Sequence, residues 1–325
     1  MPVTLAQAAL NAQSDIDTMV VDDFRKSSFL LDALTFDDVV SPAGGGSTLT
    51  YGYNRLVTQP TAGFRAINAE YTPQEVTKTQ VTVNLKPLGG AFQIDRVLAG
   101  IARGAEVALQ MGQKIKAART LFHEAAIVGD SAVDPNSFDG LDKALAGTST
   151  EVNPDAVTDW TGIDTKAEAI AQMAVIDDWL NLVEGEGPVV IFGNRKALTK
   201  FKVIALWGDF FERSEDAFGR VFGQYGGRPL VDLRSKAGSS DPIIPVETRT
   251  VATVSTTGLT DLYAVRLGLD GFHGVSVTGQ PIVQTWLPDF ERAGAVKTGE
   301  VEMGPVAVAL KSTTAAAVLR NIKVQ

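Results

Sequence analysis

His123 and His273 are the only imidazoles in this 325-residue chain, and there is no cysteine beside them. Zinc and thiolate centres need ligands at short spacing, and neither histidine has a second histidine or a cysteine at such a distance. His123 follows Phe122 near the end of a helical pattern, and His273 stands in Gly271-Phe272-His273-Gly274, so packing or a turn accounts for each. The nucleophile elbow Gly-x-Ser-x-Gly is absent, and a Ser-His-Asp arrangement formed only in three dimensions stays open. No Gly-x-x-x-x-Gly-Lys-Ser/Thr loop cradles a phosphate, and Gly44 to Gly46 read as a linker. The acidic pairs Asp22-Asp23, Asp37-Asp38 and Asp177-Asp178 are sequence neighbours that share no helix face, which suits solvated surface better than a carboxylate dyad. Trp160, Trp179, Trp207 and Trp286 are dispersed, as core fillers or interface anchors would be. No catalytic, cofactor or metal residue is assigned, and the chain is read as a protein that is not an enzyme.

Composition bounds what remains. Hydrophobic residues are 45% and charged residues 21% of the chain, enough apolar mass for a buried core. Without cysteine there is no disulfide framework and no thiolate chemistry. No apolar run approaches the roughly 18 to 20 residues that cross a bilayer, and Met1 to Ala9 lack the pattern of a signal peptide, so synthesis in a cytoplasm is expected. A net charge of −9 opposes a direct grip on nucleic acid, and the small cluster Lys114, Lys116, Arg119 suits a solvated helix face.

With no chemistry to position, the elements themselves become informative. Ile16, Val20 and Phe24, then Leu30, Leu31 and Leu34, form a short apolar stripe with too little mass to cover it, so residues 1–46 are expected to be an arm that lies against something else. Ser41 to Ser47 contain three glycines and a proline, a flexible joint. Leu49, Tyr51 and Tyr53 alternate with polar residues, and Val81, Val83 and Leu85 answer them, which predicts a long two-stranded flap over 47–86. Its tip carries Pro60, Gly63, Pro73, Arg65, Glu70 and Glu75. A two-stranded hairpin is marginal in water and should rest on another surface.

From Ile94 to Ile127 apolar residues recur at steps of three and four, predicting one beam of roughly 45 Å that Gly129-Asp130 closes. Residues 156–275 read as an α/β unit. Thr165 to Glu168 form a capping-box pattern opening a helix through Leu182. A buried strand is expected at Val189 to Phe192, a helix from Lys196 towards Leu206, and strands at Pro229 to Leu233, Ile243 to Val246 and Leu262 to Leu267. Extended segments return at Ile282 to Trp286, Val296 to Met303, Val306 to Leu310 and Val318 to Ile322.

This order of arm, joint, flap, beam helix, α/β unit and returning strands resembles the major capsid proteins of tailed bacteriophages, whose Hong Kong 97 type fold is shared with encapsulins and herpesvirus capsid floors. Phe64-Arg65-Ala66-Ile67-Asn68-Ala69-Glu70 and Leu85-Lys86-Pro87-Leu88-Gly89-Gly90-Ala91-Phe92-Gln93-Ile94 look like that family's extended loop running into its spine helix. Ile127-Val128-Gly129-Asp130, followed by Phe138-Asp139-Gly140-Leu141, is similar to the region after that helix.

The resemblance implies an α+β subunit of L shape. Its parts would be an arm (1–46), an extended loop (47–86), a peripheral domain (87–155) with a spine helix from Asp95 to Ile127, an axial domain (156–275) and return strands of the peripheral domain (276–325). It also implies self-assembly through pentamers and hexamers into an icosahedral virion capsid, built in the cytoplasm of a bacterial host. Double-stranded DNA would be enclosed without sequence-specific binding and without a membrane. Portal, separate scaffolding and cement proteins are the further partners the resemblance suggests. Phe24, Leu30, Arg65, Glu70, Glu75 and Lys78 are the expected contacts between copies, the charged ones choosing the neighbour. Lys78 and Asn321 are of the right types for the lysine–asparagine cross-link that some members make. The rivals are an encapsulin-like compartment of the same fold and a cytosolic α/β enzyme with a pocket near Gly193 or Gly226-Gly227.

Overall fold

In a computed structural model residues 29–40, 49–58, 60–101, 105–208, 211–215, 221–279 and 281–325 are described. In chain order they form α1 (Phe29–Ala33), β1 (Phe36–Val40), β2 (Thr50–Leu56), β3 (Lys78–Asn84), β4 (Lys86–Asp95), α2 (Arg96–Ile101), α3 (Ala105–Val128), α4 (Leu141–Leu145), β5 (Glu151–Val152) and β6 (Thr158–Asp159). There follow α5 (Lys166–Leu180), β7 (Val189–Gly193), α6 (Arg195–Trp207), β8 (Phe211–Glu215), β9 (Val221–Tyr225), β10 (Arg228–Val231), β11 (Glu247–Val251) and β12 (Val254–Arg266). The last strands are β13 (Phe272–Val277), β14 (Val283–Trp286), β15 (Val296–Leu310) and β16 (Ala316–Lys323), with a 3₁₀ turn at Thr313–Ala315.

Alternation builds the larger of two principal sheets, nine strands in the order β5-β16-β12-β7-β10-β9-β8, with β11 on β12 and β6 on β16. Along β12, Tyr263 and Val265 face one side while Leu262 and Ala264 face the other, and Val190/Phe192 against Ile191 repeat this on β7. One face packs under α5 and α6 with Trp160, Trp179 and Phe201, all fully buried. The other meets the five-stranded sheet of β1, β13, β15, β14 and β4, and the main core lies between them. The capping box at Thr165 is formed: Glu168 N–H donates to the Thr165 hydroxyl, and the Glu168 carboxylate accepts from Thr165 N–H at 3.0 Å.

The expected beam is helical over Arg96–Ile101 (α2) and Ala105–Val128 (α3), and differs from the sequence reading at its start. Ile94 and Leu98 fit a helical step, yet β4 pairs with β15 from Lys86 opposite Val306 to Asp95 opposite Val296, and ten residues of ladder hold Ile94 in a strand. The helix proper is α3, 24 residues and about 36 Å long. Met111, Ala118, Phe122 and Ala125 are buried along it at near-heptad spacing. Gly129 and Gly140 make its stop possible: a Cβ on Gly129 would meet Ala125 and Phe138 oxygens at 2.4 Å, and one on Gly140 would meet Ala125 oxygen at 2.5 Å.

Three further expectations are corrected. Ile243 to Val246 is not a strand; the strand follows at β11, paired with β12. The C-terminal β16 does not return to the spine side but lies in the nine-stranded sheet between β12 and β5, while β13 leaves the α/β unit to pair with β15. Val296 to Met303 and Val306 to Leu310 are one continuous strand.

A charge network fastens β16. The buried Asp261 carboxylate accepts from Arg249 Nη1 at 2.7 and 2.8 Å, from Arg320 Nη1 at 3.2 Å and from Asn321 N–H at 2.9 Å. Arg320 also reaches Glu151 at 2.8 Å and pairs with Asp142, which accepts from the Tyr263 hydroxyl at 2.7 Å. Burial raises the Tyr263 phenol well above its ordinary pKa, so it stays a donor.

Candidate assembly interface

Among the described residues the flap leaves the longest run of side chains uncovered, residues 60–80. β2 and β3 pair antiparallel from Thr50 opposite Asn84 to Leu56 opposite Lys78, and they form a sheet of their own. Its root is tied down. The Tyr51 hydroxyl donates to Asp37 at 3.0 Å, the Tyr53 hydroxyl to the Leu310 carbonyl at 2.7 Å, and Arg55 to the Leu310 and Lys311 carbonyls at 2.7 and 3.1 Å. Burial raises both phenols above their usual pKa, outweighing the nearby Arg55 and Lys311 cations. They remain neutral donors at any physiological pH.

Beyond Leu56 strand pairing gives way to single rungs, one between backbones and the rest to side chains. Val57 N–H donates to the Thr77 carbonyl at 2.9 Å, Thr77 N–H to the Thr58 hydroxyl at 2.9 Å, and Thr61 N–H to Gln74 Oε1 at 2.7 Å. The end folds over itself at Asn68, whose φ of 68° is the left-handed conformation that asparagine tolerates. Arg65 closes this end, donating to the Ala69 carbonyl at 3.0 Å with its guanidinium 5.5 Å from the Tyr71 ring centre. Every described residue from 60 to 80 is exposed. Phe64 and Ile67 stand fully in solvent, at 110% and 91% exposure.

The expected contacts separate accordingly. Arg65, Glu70, Glu75 and Lys78 all lie exposed on the flap, and Arg65 is engaged in holding the tip together. Glu70, Glu75 and Lys78 have no ion-pair partner among the described residues. Leu30 is a correction: it is fully buried in the main core with Leu34, and Leu31 N–H donates to His123 Nε2 at 3.2 Å, so this piece of the arm is covered by its own chain. Phe24, with Ile16, Val20 and the glycine joint at Gly44 to Gly46, lies outside the described residues. Asn321 is buried, and its amide donates to the Asn153 and Pro154 carbonyls at 3.1 and 2.8 Å, so a cross-link through it to Lys78 of another copy has no access.

Sequence reasoning weighted the charged residues of the tip and passed over Phe64 and Ile67. The signal was present: two large apolar residues between Pro60 and Pro73, in a stretch with no alternation to bury them. A second uncovered apolar area holds Trp286, Leu287, Phe290 and Val296 at 40 to 70% exposure; of these only Trp286 figured in the sequence reading, as a core filler or interface anchor. Both histidines are interior. Burial holds the His123 pKa near 4, and its Nδ1 has no partner among the described residues; burial also lowers His273, whose Nδ1 lies 3.3 Å from the Gly271 carbonyl. Among the described residues no group of three or more His, Asp or Glu side chains is placed to hold a metal. No described helix is long and apolar enough to cross a membrane.

No family model matches this sequence, and no curated protein does. Solved structures do match along the whole chain. The holo-SrpI encapsulin complex from Synechococcus elongatus PCC 7942 is similar with a TM-score of 0.61 at 14% identity, covering 100% of this chain and 98% of that one. The capsid of the native GTA particle gives 0.60 at 13%, covering 97% of each chain. The capsid of cyanophage P-SCSP1u gives 0.59 at 13%, covering 97% of this chain and 94% of that one. The chain has the Hong Kong 97 type capsid fold.

Proposed function

We propose that this chain is the major capsid protein of a tailed bacteriophage, forming the icosahedral shell that encloses the genome. The observation that carries the reading is the flap: a projection of the capsid fold whose apolar end is wholly uncovered. Burying Phe64 and Ile67 against another copy would contribute roughly 1.5–3 kcal/mol each. Repeated around every subunit, contacts of that size add to a closed particle without any single strong bond. A net charge of −9 suits a wall that duplex DNA slides along without sticking. Pentamers and hexamers of this chain, a virion location, and portal, separate scaffolding and cement partners belong to the same proposal.

A second reading has an observation of its own, because an encapsulin is among the similar structures at a TM-score of 0.61, beside 0.59 for the cyanophage capsid. Both readings predict a hollow particle of many copies, and contents separate them. Purified particles examined by negative-stain microscopy should be closed shells, and from infected cells they should carry nuclease-protected double-stranded DNA. A protein cargo without DNA would favour the compartment. A small species of one or two chains at micromolar concentration would overturn both and reopen an α/β enzyme.

A further inference from the structure

The chain as a whole is acidic, with a formal charge of −9, and α6 is the exception. Its sequence, RKALTKFKVIALW, holds four cations and no carboxylate. Ala197, Leu198, Phe201, Ile204 and Ala205 turn inward and are buried. At about 100° per residue the opposite face carries Arg195, Lys196, Lys200 and Lys202, and it ends in Val203, Leu206 and Trp207, which are 41 to 58% exposed. Those three line a shallow hollow together with Lys166 of α5. Among the described residues none of these five cations meets a carboxylate, and Lys196 reaches only the Gln325 side-chain oxygen. Arg195 and Lys196 also stand in the first turn, where the helix dipole disfavours cations.

A bare cationic face that ends in a tryptophan suits an acidic occupant with apolar anchors. A duplex phosphate backbone would use the charges and leave the apolar end bare. The chain holds such an occupant in its own arm. No Lys or Arg precedes Arg25, and residues 15–24 contain Asp15, Asp17, Asp22 and Asp23, with Ile16, Val20 and Phe24 at a step of four. Four carboxylates thus match four cations, and three apolar residues match Val203, Leu206 and Trp207.

Reach agrees with the match. Phe29, where the arm meets the body, packs edge-on to Phe192 of β7 with ring centres 6.3 Å apart. Arg195 comes three residues after Phe192, across the turn that Asn194 fixes by accepting from Lys196 N–H at 2.9 Å. Phe29 and α6 lie on opposite faces of the nine-stranded sheet, so the arm has to round the end of β7. Residues 25–28 let Phe24 stand up to about 17 Å from Phe29 when extended, more than the roughly 10 Å that separates packed layers.

We infer that residues 15–24 fold back over α6 of their own chain, with Asp22 and Asp23 towards Arg195 and Lys196 and Ile16 towards the Trp207 hollow. The arm then neutralises the helix and covers its apolar end, and α6 becomes free for any other contact only when the arm leaves. This is a property of the single subunit and stands apart from the shell reading.

The absence of cysteine provides a clean test. Thr18→Cys with Thr199→Cys places one thiol in the middle of the arm segment and one on the exposed face of α6. Dilute, dissociated subunits of this double variant, once oxidised, should run as monomers on a denaturing, non-reducing gel, with no thiol to label until reductant is added. Two free thiols overturn the inference, and linked dimers overturn it by placing the arm on another copy. Lys200→Glu with Lys202→Glu, neither of them buried, should slow closure of this disulfide at least tenfold, and about 1 M salt should slow it too. Adding Asp15→Lys with Asp17→Lys should restore the rate; closure indifferent to these reversals contradicts the charge match. The full chain should not retain a short DNA duplex at physiological salt. A duplex that it does bind, and loses on Lys200→Glu with Lys202→Glu, would make α6 a phosphate site that the arm leaves open, and would overturn the inference.

Discussion

The flap and the nine-stranded lobe obey opposite rules within one chain. In the lobe, alternating residues of β7 and β12 find cores on both faces, and even the charges of Asp261, Arg249 and Arg320 are satisfied inside. In the flap, the ladder turns Tyr51 and Tyr53 towards the core at its root, while the irregular end beyond it leaves Phe64 and Ile67 in solvent. A segment so bare is consistent with a fold completed by another molecule. Stability and assembly should therefore come apart experimentally, one residing in the lobe and the other in the flap.

The largest effect should follow from replacing residues 60–75 with a short turn. Assembly should be lost, with the threshold concentration raised a hundredfold or more, while the subunit's melting temperature moves by about a degree, since these residues touch no core. A drop of many degrees would erase the distinction between the two regions. The converse change is Asp261→Ala, which leaves Arg249 and Arg320 without their shared carboxylate. A loss of about 3–5 kcal/mol in denaturant unfolding is expected, and under 1 kcal/mol would show the network to be ornamental.

His123 sharpens the contrast through pH. Its folded pKa, near 4, lies below the unfolded value of about 6.5, so the unfolded chain binds the proton first. Stability from this group is therefore complete above pH 6.5 and is lost as pH falls towards 4, by up to about 3 kcal/mol. His273, also lowered by burial, acts in the same direction. Unfolding measured from pH 7 to 4 should show this slope, and His123→Gln should flatten it, whereas an equal slope in the variant would place the titration elsewhere. The smallest expected change is Thr165→Ala, which removes one side of the capping box on α5 and should cost about 1 kcal/mol without affecting assembly.

Much of this was legible in the sequence where local pattern governs. The flap followed from Tyr51 and Tyr53 answering Val81 and Val83, α5 from its capping box, and β7 from an apolar run before Gly193. What failed depended on partners distant in sequence. Ile94 fits a helix by spacing and a strand by its pairing with Lys297, and only the second is visible in three dimensions. The place of β16 depends on a register with β12 some sixty residues earlier, which no local signal encodes. Leu30 looked like a contact because its stripe lacked cover, and the cover came from His123 and the core around it, nearly a hundred residues away. For the interface, charge drew attention to Glu70 and Lys78, while burial energy points to Phe64 and Ile67.

The central claim, that the flap's free end is covered by another copy, is tested most directly by trypsin at Arg65. In dissociated subunits the exposed tip should be cut after Arg65 within minutes; in intact particles the same bond should be protected at least a hundredfold. Equal cleavage in both would mean that the tip stays bare in the assembled state, and the account given for it would be wrong.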